Sequence, residues 1–206
     1  MTLTLFESIQ QIVREELGRI RTAELATVQS QHPHASASDN DNYACTVVLR
    51  DSGIVLGHVP VATDRIGTAS IPAVGELVVV QFLNGDVNSP VIVGRLYNDE
   101  DRPPVNDDGQ AMWHLPLGAS DDDAVHMELH SNGSRKAVMK LGSGLDLTLQ
   151  DDDPVVNLVV GDASLTMKKD GTIELKGKDI TLDGSGKVTV KAASDLTLKG
   201  AKVNIN

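Results

Sequence analysis

Five short stretches carry residue types that could bind a metal or move protons. His32-Pro33-His34 sets two imidazoles one residue apart. His126 and His130 lie four apart, around Met127 and Leu129. On a strand that spacing puts both rings on the face opposite the two apolar residues, hence toward water. Asp39-Asn40-Asp41-Asn42 has the opening spacing of a calcium loop, but the sixth position is Ala44 and the twelfth Arg50. A calcium loop needs glycine at the first of these for its sharp turn and a bidentate glutamate at the second. The runs Asp121 to Asp123 and Asp151 to Asp153 supply carboxylates in turn-like sequence, where they are solvated. Glycosidic chemistry needs a pair held at a set separation instead. No nucleophile elbow, phosphate-cradling loop, His-Glu-x-x-His or dinucleotide fingerprint is present. The expectation is a protein that is not an enzyme, with no catalytic residue, no cofactor and no metal site.

Charge narrows the partners. The net charge of −11 argues against a phosphate-binding surface. It is unevenly spread, with 11 acids and 4 bases in residues 101–154 against 6 and 8 in residues 155–206. The single cysteine, Cys45, alternates with Val47 and Leu49, as a buried structural thiol would. No apolar run reaches the 18 or so residues of a membrane span, and the N-terminus lacks a basic leader and cleavage site. Synthesis in the bacterial cytoplasm is expected.

The elements that would position these residues are mostly strands. Leu5, Ile9, Ile12, Val13, Leu17 and Ile20 recur at helical spacing, so residues 1–24 read as a short N-terminal helix that must dock on something. Four or five short strands separated by turn residues, among them CTVVL, ELVVVQFL and PVIVGRLY, make residues 25–98 a small closed barrel. Pro103-Pro104 and Asn106-Asp107-Asp108-Gly109 mark residues 99–122 as a linker or collar.

Residues 123–206 are repetitive. Apolar residues alternate within short runs whose first members are Leu165, Ile173, Ile180, Val188, Leu196 and Val203, each step seven or eight residues. Leu175, Leu182, Val190, Leu198 and Ile205 follow two positions later. Alternation buries one face of each strand, and nothing else in this stretch can cover it. One chain could coil into a parallel β-helix, but residues 164–206 give fewer than the roughly three repeats such folds need. Three copies could instead wrap around one axis as a triple-stranded β-helix, or β-prism, with those eleven aliphatic residues as its core. A narrow interior would exclude rings, and no aromatic occurs beyond Trp113. Closure also removes exposed edges. The homotrimer is the favoured reading.

The stretch IPAVGELVVVQFLNGDVNSPVIVGRLYNDEDRPP, residues 71–104, resembles the OB-fold domain of central spike proteins of contractile injection machines. These include phage baseplate assembly protein V and the valine–glycine-repeat spikes of type VI secretion. The resemblance implies an all-β homotrimer: an OB-fold barrel, then a needle that is driven through a target envelope when the machine contracts. It implies a baseplate hub as partner at the barrel end, assembly into a phage tail baseplate or equivalent particle, and contact with the target membrane only under applied force. Some phage spikes of this family close their tip with an iron held by a His-x-His pair. Here the only such pair is near the N-terminus, and the chain ends KGAKVNIN without histidine. Lys202, Val203, Asn204, Ile205 and Asn206 would then form a blunt platform for a PAAR-type tip protein, with strand ends open to β-augmentation.

Two other classes compete. A trimeric tail fibre that binds or degrades glycans would need an aromatic and acidic groove, and the needle stretch has no aromatics. A nucleic-acid-binding barrel would want basic strand faces, whereas residues 43–97 offer only Arg50, Arg65 and Arg95, outnumbered by acids.

Overall fold

The computed structural model describes residues 5–19 and 22–204, without the side chains of residues 16–19. The chain divides into two compact units, residues 1–105 and 106–206.

The first unit opens with α1 (Leu5–Arg19), followed by strands β1 (Ala23–His32), β2 (Ala44–Leu49), β3 (Val55–Pro60), β4 (Leu77–Phe82) and β5 (Pro90–Leu96). The apolar residues of α1 do not find the docking surface that the sequence demands: Leu5, Phe6, Ile9, Ile12 and Val13 are all exposed. Leu17 has no described side chain, and Ile20 lies outside the described residues.

The strands form an antiparallel sheet in the order β3-β2-β1-β4-β5. Its two edges meet. Val61, just past β3, forms a parallel bridge with Ile92 of β5, and the Ala62 N–H donates to the Ile92 carbonyl at 2.8 Å. The circuit 1-2-3-5-4-1 is that of an OB-fold barrel. Register shifts at Val28/Ser30, Cys45/Val47 and Val79/Val80 supply the extra twist that lets short strands curl shut.

Strict alternation then fills the barrel. Cys45, Val47 and Leu49 of β2 point inward, as do Val78, Val80 and Phe82 of β4, all nearly or wholly buried. Burial pushes the Cys45 thiol up, as suits a packing residue rather than a nucleophile.

The second unit contains β6 (Gln110–Leu115), β7 (Val125–His130), β8 (Lys136–Leu141), β9 (Leu145–Gln150), β10 (Val156–Val160), β11 (Ala163–Met167) and β12 (Ile173–Lys176). They pair in strict chain order as one seven-stranded antiparallel meander. The parallel coil considered from the sequence does not form here, because tight turns such as Gly161-Asp162 return each strand beside its predecessor. β6 lies within residues 99–122, the stretch read as a linker, and is the first strand of this sheet. From residue 177 to 204 no strand is formed among the described residues.

Candidate assembly face and its polar reverse

Antiparallel register decides which side chains stand beside one another, and here it aligns every strand of the second unit. Trp113, Met127, Met139, Leu147, Leu158, Leu165 and Leu175 are successive cross-strand partners, one from each of the seven strands. A second row begins at Ala111 and Leu129 and ends at Met167 and Ile173. A third runs from Leu115 and Val125 through Leu141 and Leu145 to Val160 and Ala163. Direct partners point to the same side of a sheet, so all three rows share one face.

That face is uncovered. Trp113 is 53 % exposed, Leu129 49 % and Leu175 55 %. A shallow trough of about 210 Å³ between Trp113, Met127, Met139 and Leu149 is almost wholly apolar. The only buried hydrophobic residues described in this unit are Ala124 and Val138. A single sheet layer without a core of its own must bury a face against another layer.

Of the eleven residues expected at a trimer core, Ile205 lies outside the described residues and the other ten divide into two groups. Leu165, Ile173 and Leu175 stand in the apolar rows. Ile180, Leu182, Val188, Val190, Leu196, Leu198 and Val203 lie beyond β12, each more than half exposed and unpaired into strands. Of the expected tip residues, Lys202, Val203 and Asn204 are exposed, while Ile205 and Asn206 lie outside the described residues.

The reverse of the sheet is polar. Glu128 projects there between His126 and His130, with its carboxylate 3.5 Å from His126 Nε2, 2.9 Å from His130 Nε2 and 3.5 Å from Lys136 Nζ. Burial pushes its carboxyl up, but the His130 hydrogen bond and the charges of His130 and Lys136 outweigh this and hold it low. His126 and His130 share the face opposite Met127 and Leu129, as strand spacing requires, yet they are half-buried rather than open to water. Sequence reasoning missed their partners. His130 accepts from the Gln110 amide at 3.1 Å, and His126 faces His114 across the β6–β7 pair.

The other candidates serve local structure. His34 Nδ1 lies 2.8 Å from Asp39 Oδ1, and the Asp39 carboxylate accepts from the Ser36 N–H. That backbone bond is the main cause of the lowered Asp39 pKa. His32 stacks on His58, 3.9 Å between ring centres. Asp151 accepts two bonds from the Arg135 guanidinium, at 2.7 and 3.2 Å, and Asp153 accepts from the Lys169 N–H.

Residues 14–97 match the family model of the type VI secretion system/phage-baseplate injector OB domain. The barrel is similar to that injector OB domain. Type VI secretion system spike protein VgrG1b of Pseudomonas aeruginosa is 48 % identical over 111 residues, which are 54 % of this chain and 12 % of the relative. Spike protein VgrG1a of the same organism is 28 % identical over 111 residues, 54 % of this chain and 14 % of its own length. Actin cross-linking toxin VgrG1 of Vibrio cholerae is 44 % identical over 43 residues, 21 % of this chain and 4 % of the toxin. The chain thus spans a small fraction of each of these curated relatives. The matched domain is described as that of a type VI secretion system or phage-baseplate injector, and two of these relatives are named spike proteins. No helix among the described residues is long and apolar enough to cross a membrane.

Proposed function

We propose that this chain is the subunit of a homotrimeric central spike, which sits on the baseplate of a contractile phage tail or related injection machine and transmits contraction force to the target envelope. The observation that carries it is the uncovered apolar face: three aligned rows, two of them crossing all seven strands, in a chain whose barrel matches an injector OB domain. Three such faces turned toward one axis would cover one another and give each sheet the second layer it lacks. The strands run across the ribbon, so the prism would lengthen along the hydrogen-bonding direction. Seven strands at about 4.8 Å spacing span about 29 Å of axis. Compression along a closed ladder loads backbone hydrogen bonds and packed side chains together, which suits a part that must not bend.

Residues 177–204 would extend the same prism, since their apolar residues keep the alternation of the seven strands without a partner in one chain. The barrel end would meet a baseplate hub. The tip around Lys202, Val203 and Asn204 would receive a PAAR-type cap.

Light scattering of the purified chain tests this reading. A mass of about three times 21.9 kDa is expected. A folded monomer would leave the apolar rows in water and overturn the spike.

A further inference from the structure

We propose that His114, His126 and Asp121 form a zinc site on the polar face of the seven-stranded sheet, one per chain. His114 and His126 are direct partners on β6 and β7, and their Nδ1 atoms face each other at 3.2 Å. The opposite nitrogens have acceptors. His114 Nε2 lies 2.9 Å from the Ala119 carbonyl oxygen, which can only accept. His126 Nε2 lies 3.5 Å from Glu128 Oε2. The Ala119 carbonyl fixes the His114 proton on Nε2, so its Nδ1 presents a lone pair to His126; a neutral His126 that directs its Nε2–H toward Glu128 presents a second.

Facing lone pairs repel unless a cation lies between them. Two nitrogens bound to a tetrahedral zinc at about 2.05 Å stand about 3.3 Å apart, close to the spacing found here. The rings stand edge-on rather than stacked, with centres 5.5 Å apart and planes at 68°. One ring nitrogen of each histidine and an Asp121 carboxylate oxygen lie within 4.8 Å of one another, so Asp121 supplies the third ligand. Water would take the fourth position, completing a His₂Asp set suited to zinc. The Nε2–H contacts to a carbonyl and a carboxylate are the outer-shell arrangement that orients imidazole ligands on metals.

The loop carrying Asp121 is held in place independently. Ser120 Oγ donates to Asp123, Ala124 is buried, and the Asp122 carbonyl packs against Gly142 so closely that a Cβ there would overlap it. His32, Asp41 and His58 also lie within reach of one another. Their imidazoles are stacked at 19°, so the lone pairs run alongside rather than converge, and that cluster serves as the control.

The test uses the full chain and Zn²⁺ alone. Calorimetric titration should give one ion per chain, and Co²⁺ in its place should give the visible absorption of a four-coordinate ion. His126→Gln should abolish binding, Glu128→Gln should weaken it about 10–100-fold, and His58→Gln should leave it intact. In the metal-free parent chain, proton–nitrogen NMR correlations should show both rings protonated on Nε2 alone. A proton on either facing Nδ1 at neutral pH would make the pair an ordinary hydrogen bond and overturn the site. Binding that survives His126→Gln unchanged would do the same.

Discussion

Trp113 and Leu175 stand at opposite ends of one unbroken row of apolar side chains that crosses all seven strands of the second unit, and both are more than half exposed. No residue of the row is polar, so a single charge in its middle is a severe test. Leu147→Lys would place an unpaired ammonium between three packed sheets in a trimer, at a cost of several kcal/mol per copy. The variant should run at or near 21.9 kDa in light scattering, with the strand signal of its barrel retained. The same substitution at exposed Thr172, outside the rows, should leave the mass unchanged.

The barrel should stand on its own core. Ile92 is 1 % exposed and lies where β5 meets the chain just past β3. Ile92→Ala should destabilise the first unit by about 2–5 kcal/mol, read as a lower urea midpoint. Leu182→Ala, in a residue that is 76 % exposed in one chain, should leave that midpoint unmoved. In the trimer it should lower only the stability of the needle.

Gly142 should refuse a side chain. A Cβ there would overlap the Asp122 carbonyl, which is backbone and cannot swing aside. Gly142→Ala should cost about 1–3 kcal/mol and displace the loop that carries Asp121. Thermal melting measures the first effect, and weakened zinc uptake measures the second.

Acid should weaken the turn between β9 and β10 through Asp151. The Arg135 hydrogen bonds hold its carboxyl below the usual aspartate range. A group with a depressed folded pKa contributes stability above its unfolded pKa, and that contribution fades as pH falls through the folded value. The parent and Asp151→Asn should therefore differ in melting temperature at pH 7, and the difference should shrink below about pH 4. Both partners are solvent-exposed, so the effect will be small and reduced by salt.

A chain ended at Gly171 would lose β12 and every later apolar repeat. It should still form the barrel but assemble into a trimer that dissociates at lower denaturant than the full chain. Equal stability would place the clamp in β6–β11 instead.

Much of this protein was legible in the order of its residues. Alternation at Cys45, Val47 and Leu49 marks one face of a strand, because successive side chains on extended backbone must point opposite ways. The same local rule exposed the aliphatic repeat from Leu165 onward and the lack of anything within the chain to cover it. The motif in residues 71–104 identified the barrel.

What distance in sequence hides, only the folded chain decided. Closure of the barrel depends on Val61 reaching Ile92, 31 positions away, and bulges rather than composition permit it. Whether the repeat coils in parallel or folds back as a meander depends on turn geometry, since alternation is identical in both. The pairing of His114 with His126 depends on register: a slip of one residue would send one ring to the apolar side. His114 also sat in a stretch whose prolines and aspartates read as linker. The sequence therefore determined which residues face the same way along each strand. The tertiary structure determined which of them meet, because cross-strand register is fixed by the whole sheet at once.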